Sequence, residues 1–145
     1  MTLVLLDTTL LIDAERGVGG IEEQLWDDDE PAIAAVTLAE LGVGVDLATG
    51  RARARRKRFF DAVAAEVPVV AYDASVAAAH RTLLVAVRRA GRPRGAHDLI
   101  IAATAIASGR TLLTADRGFA ELPGVPLRAV SDGGPDPGGA RSRRG

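Results

Sequence analysis

The chain has 145 residues, enough for one domain with a single sizeable core and too few for two. Its formal net charge of −1 gives no global attraction to nucleic acid or to a membrane surface, and the absence of Cys excludes disulfides and thiolate metal sites. With 48% hydrophobic but only 3% aromatic residues, the core has to be built from Ala, Val, Leu and Ile.

The first predicted element is a strand over 3–6 (LVLL), which runs straight into Asp7. No basic segment precedes it, and so short an apolar run makes neither a signal peptide nor a membrane span. The chain therefore reads as cytoplasmic. Helical periodicity follows over 8–15 and 20–27. DDDE at 27–30 reads as a solvated helix end and loop, and Trp26 as a packing residue. A strand over 32–36 (AIAAV) leads to a helix over 38–48, where Thr37 and Glu40 match the spacing of a capping box.

The next helix, 51–65, opens with the basic run RARARRKR. Arg51, Arg55 and Arg58 share one face of it, most simply a solvated face, with Val63 turned to the core. Only Lys57 among the 18 basic residues is a lysine, and an Arg bias throughout a chain rich in Ala and Gly is not itself evidence of nucleic-acid binding. A strand over 67–71 and a helix over 74–90 containing His80 come next, His80 reading as packed or surface-exposed. Gly91 and Pro93 make a loop of the segment that carries Arg92 and Arg94 toward Asp98, so both guanidinium groups are candidates for holding phosphates. Asp98 opens a helix over 98–108. A strand over 111–114 (TLLT) is followed two residues later by Asp116, and a last strand covers 125–130. Residues 131–145 have no apolar content to bury and are expected to be disordered, leaving 1–130 as the domain.

Strands that are apolar throughout, alternating with helices, indicate a parallel sheet covered on both faces. The expectation is a three-layer α/β domain with a mostly parallel sheet of about five strands. In such a fold ligands bind beyond the carboxyl ends of the strands. Asp7, Glu40, Asp98 and Asp116 each have a plain explanation: a helix cap for Asp7 and Asp116, a capping box for Glu40, a dipole partner for Asp98. Together they are harder to dismiss, because the helix N-termini that carry them gather along one edge of the sheet. Carboxylates crowded there raise one another's pKa or are held by a cation, and an all-oxygen site suits Mg²⁺ or Mn²⁺.

Two other aspartate-and-metal folds fail on single residues. A receiver domain needs a Lys at a later strand end, and the only Lys lies in the basic helix. A haloacid-dehalogenase-type phosphatase needs a second Asp two residues after Asp7, where Thr9 stands. The ordered segments LLDTTLLID, VTLAELGVG, HDLIIAATA and LLTADRGF, across roughly residues 3–130, instead resemble the PIN-domain ribonucleases, most closely the VapC-type toxins of toxin–antitoxin pairs.

The resemblance implies a Mg²⁺- or Mn²⁺-dependent endoribonuclease, with Asp7, Glu40, Asp98 and Asp116 as catalytic metal-binding residues. It adds Thr8 and Thr114 as supporting hydroxyls. It also implies an RNA substrate, a cognate antitoxin protein lying across the active-site groove, and a homodimer that forms a heterotetramer or larger complex with the antitoxin. Apolar helix faces around 20–26 and 38–47 are candidates for that groove, and a core role explains them as well. His97 departs from the family, which often has a small polar residue before the Asp; a contact to RNA and a helix cap are both open, the cap being the simpler. With only His80 and His97 present, the expected chemistry is hydrolysis by in-line attack of water, leaving a 5′-phosphate and a 3′-hydroxyl. The rival expectations are a catalytically silent PIN-like module that binds RNA or protein, and a metal-dependent phosphoesterase acting on another substrate.

Overall fold

In the computed structural model, which describes residues 1–130, five strands form one sheet in the order β3-β2-β1-β4-β5. The tail expected to be disordered, 131–145, lies outside the described residues. The strands are β1 (Thr2–Leu6), β2 (Asp29–Ala34), β3 (Val69–Val70), β4 (Thr111–Thr114) and β5 (Leu127–Ala129). Every pairing is parallel, as continuous apolar strands require once both faces are covered. Pro68 and Pro126 fall just before β3 and β5, where each carbonyl still accepts a ladder hydrogen bond, from Ile33 and Leu112.

The helices are α1 (Thr8–Glu15), α2 (Ile21–Gln24), α3 (Ala35–Leu47), α4 (Gly50–Glu66), α5 (Ala74–Ala90) and α6 (Ala96–Ser108), with a 3-10 turn over Arg117–Glu121. Successive strand residues point to opposite faces, and β1 shows what this does. Leu5 packs with Leu112, Leu83 of α5, and Leu99 and Ile101 of α6 on one side. Val4 and Leu6 pack with Leu11 of α1, Leu41 of α3 and Val63 of α4 on the other. The three expected layers are therefore present, with β1 at the centre and its last three residues buried.

Three local differences from the sequence-based reading matter. The helix expected over 20–27 is a single turn, α2. β2 starts inside DDDE, and Asp29 is not solvated: its side chain is fully buried and holds Arg128 at 2.6 Å. That guanidinium also lies 4.1 Å from the centre of the Trp26 ring, so Trp26 does pack. Finally, α3 begins directly after β2 at Ala35, which puts Thr37 inside the helix and ends its reading as a cap. Among the described residues no helix is long and apolar enough to cross a membrane.

Candidate active site

β1 and β4 are neighbours, and their carboxyl ends set the floor of the site. The backbone N–H of Asp7 continues the ladder by donating to Leu113 O at 3.1 Å, which places Asp7 beside Thr114. Asp7 occupies the N-cap position of α1, yet its side chain caps nothing. Its Oδ2 instead accepts a 2.7 Å hydrogen bond from the Thr114 hydroxyl, whose oxygen in turn accepts from the Asp116 N–H at 3.0 Å. Asp7 is only 3% exposed. Burial pushes its carboxyl above the usual 3.8; the Thr114 bond pulls it back, and the charges of Asp98 and Asp116 push it up again.

Glu40 comes from the second turn of α3, with no capping hydrogen bond at the start of that helix. Burial raises its pKa above the usual 4.5, His97 opposes the rise, and Asp7 and Asp98 add to it. Its Oε1 lies 2.9 Å from His97 Nδ1, a short polar contact between carboxylate and ring. The helix-cap reading of His97 gives way to this contact, since α6 has no side-chain cap.

Asp98 lies in the first turn of α6, and Asp116 begins the 3-10 turn, where its Oδ1 accepts from Gly118 N–H at 2.8 Å. The capping role foreseen for Asp116 is therefore present, and its other oxygen is engaged as well: Oδ2 accepts from Arg94 Nη2 at 2.6 Å. Arg94 Nε is 3.5 Å from Asp98. Asp98 and Asp116 thus lie close enough to act on Asp7, and Asp7 and Asp98 close enough to act on Glu40, the four coming from separate stretches of chain. Arg94 reaches Asp98 and Asp116, with a side chain only 15% exposed, whereas Arg92 is 74% exposed and 3.9 Å from Glu121.

Thr8 and Thr114 are both buried beside Asp7. Thr8 Oγ1 is 2.8 Å from Thr37 Oγ1, and Thr37 is fully buried. Sequence reasoning missed Thr37 because its spacing to Glu40 looked like a capping box. A signal was present: Thr37 follows the apolar run AIAAV with no polar break, so the helix had room to begin before it.

Donor chemistry fits a hard divalent cation: the carboxylates offer only oxygens, and the rise at Asp7 and Glu40 comes partly from acids that such a cation would neutralise. As the side chains stand, no three acidic or histidine groups among the described residues converge on one point. Asp98 and Asp116 lean to Arg94, and Glu40 leans to His97.

Comparison with known proteins agrees with the fold. A family model described as the PIN domain matches residues 4–125. A curated relative, ribonuclease VapC4 of Mycobacterium tuberculosis, is 33% identical over 116 residues, covering 77% of this chain and 89% of that protein. Solved structures are similar too, two of them as follows. VapBC-5 from Mycobacterium tuberculosis has a TM-score of 0.72 at 30% identity, covering 90% of this chain and 98% of that one. VapBC2 from Rickettsia felis, bound to a DNA fragment from its promoter, has a TM-score of 0.80 at 23% identity, covering 90% and 100%, and its likeness speaks to the fold alone.

Proposed function

This chain belongs to the PIN-domain family, among its VapC-type members, and on that premise we propose that it is a metal-dependent endoribonuclease acting as the toxin of a toxin–antitoxin pair. The observation that carries the reading is Asp7: a carboxylate 3% exposed, aimed by a Thr hydroxyl, and raised by burial and by the charges of Asp98 and Asp116. A cap needs none of that, and an inert surface acid would not be buried beside two others.

Asp7, Glu40, Asp98 and Asp116 are the residues that would hold Mg²⁺ or Mn²⁺. Bound there, the ion would supply Lewis-acid activation of water and neutralise charge on the phosphodiester. The chain's own residues do the rest. Thr114 orients the Asp7 carboxylate through its 2.7 Å bond, and the Thr8–Thr37 pair packs the α1 entry against α3. Water attacks phosphorus in line, and the products carry a 5′-phosphate and a 3′-hydroxyl. Paired histidines acting as acid and base are not part of this chemistry, since His80 bonds Tyr72 and His97 contacts Glu40.

The cognate antitoxin belongs in the cleft of about 130 Å³ that Ile12, Leu41, Phe59 and Phe60 line and that Glu40 borders. On this reading Leu41 of α3 and Phe59 and Phe60 of α4 would face the antitoxin, while Ile21 and Leu25 of the 20–26 stretch pack against the core. The assembly that goes with this reading is a homodimer, enlarged by antitoxin.

The test is cleavage of end-labelled RNA in Mn²⁺ by the full chain, by Asp7→Asn and by Glu40→Gln. Each substitution is expected to cost about 100-fold or more, since loss of an ion ligand removes several kcal/mol of transition-state stabilisation and 1.36 kcal/mol is a decade. Full activity in either variant would sink the assignment. RNA binding without cleavage would favour the silent module, and hydrolysis confined to DNA or small phosphoesters would favour the other phosphoesterase.

A further inference from the structure

Arg94 is seated in the site as if a place had been made for it. Its guanidinium is held by Asp116 at 2.6 Å and lies near Asp98, with Nε at 3.5 Å. Its carbon lies 4.3 Å from the centre of the Phe119 ring, which is fully buried and cannot yield. The third wall is the backbone at Gly118: a methyl group on that residue would collide with the Arg94 guanidinium. The Gly118 N–H also fixes the Asp116 carboxylate by bonding its other oxygen. Two carboxylates, a ring face and a missing side chain therefore converge on one guanidinium.

Those two carboxylates are half of the acidic set. A guanidinium and a divalent cation compete for the same oxygens, and positive charges that close repel each other. Asp98 and Asp116 are turned toward Arg94, and among the described residues no three acidic or histidine groups converge on one point.

We propose that Arg94 is a resident counter-ion of the acidic site, competing with the divalent ion for Asp98 and Asp116, so that metal loading requires its guanidinium to leave its seat. The proposal rests on the metal-site reading above and adds to it a cost of loading set by the chain itself. Arg94 tunes metal affinity downward while keeping the acids neutralised and in place.

Two variants separate this from a simple change in net charge. Arg94→Gln removes the competitor. Gly118→Ala leaves every charge in the chain and fills the seat, at a residue whose φ is not in the left-handed region; its methyl also comes within 3.0 Å of Asp116 Oδ1, so Arg94→Gln is the variant that leaves Asp116 unpressed. Mn²⁺ is titrated calorimetrically into the full chain after chelator treatment and desalting. Both variants are expected to bind Mn²⁺ roughly fivefold more tightly than the unaltered chain, about 1 kcal/mol. If Arg94→Gln fails to fold, Gly118→Ala carries the test alone. Unchanged or weaker Mn²⁺ binding in a folded Gly118→Ala, with clear binding by the unaltered chain, overturns the proposal and leaves the metal site standing. No Mn²⁺ binding by any of the proteins overturns the metal-site reading, and this proposal with it.

Discussion

Asp7 carries a stability cost that can be measured without any assay of function. Its carboxyl is raised above 3.8 in the folded chain, chiefly by burial. Well below pH 3.8 the group is protonated in both states and contributes nothing. As pH rises from 3.8 through the raised folded value, the unfolded chain loses its proton first, so stability is lost, and above that value the full cost remains. Glu40 acts in the same direction from 4.5. Asp7→Asn keeps an oxygen to accept the Thr114 hydroxyl but cannot ionise. The expected outcome, without divalent ion, is a higher urea midpoint than the unaltered chain at pH 7.5 and little or no gain at pH 4, with activity lost. An Asn variant that is less stable at both pH values would contradict the environment described for Asp7. The sequence showed that an acid ends the strand; that it turns from capping to Thr114 was not legible, because a cap and a site acid have the same spacing.

At the scale of elements, the site depends on how firmly α6 is held against the sheet, since Asp98 is in its first turn. Leu83 of α5 is fully buried and packs with Leu99, Ile101 and Ala102 of α6. Leu83→Ala is expected to cost roughly 2–5 kcal/mol, a large share of the stability of a domain this size. Urea denaturation checks it, as a lower midpoint with an unchanged slope. A loss below about 1 kcal/mol would mean that α5 and α6 close the gap by shifting together. The α5 and β4 boundaries matched the sequence reading, because both are marked locally: an apolar run makes β4, and in the structure Asp73 caps the start of α5 by accepting from Val76 N–H while Gly91 ends it. The start of α3 did not, because Ala35 and Val36 suit a strand or a helix equally well.

For the whole molecule, on the proposed reading, a net charge of −1 and an acidic edge would leave RNA attraction to local cations. Arg94 is paired with the acids in this structure and Arg92 is exposed, so Arg92 is the position that tests contact with the phosphate backbone apart from the metal site. Arg92→Ala is expected to weaken RNA binding whatever the sequence bound, and to lower the salt dependence of log K by ~0.7, the share of one phosphate contact on a single strand. Binding by filter retention at several salt concentrations reads this. An unchanged slope would remove Arg92 from the RNA path.

What the sequence determined by itself was the architecture: uninterrupted apolar strands cannot leave a face in water, so a covered parallel sheet was the available answer, and its carboxyl edge had to collect the acids that follow its strands. Local patterns also named those acids, and the resemblance to PIN-domain ribonucleases added the Thr residues beside Asp7. Only the tertiary structure decided what each side chain does there. Thr37 meets Thr8 from 29 residues away, and Arg94 meets Asp116 from 22. The reason is physical: burial, ion pairing and the seat at Gly118 are set by residues far apart in the chain, and no window of sequence contains both sides of such a contact.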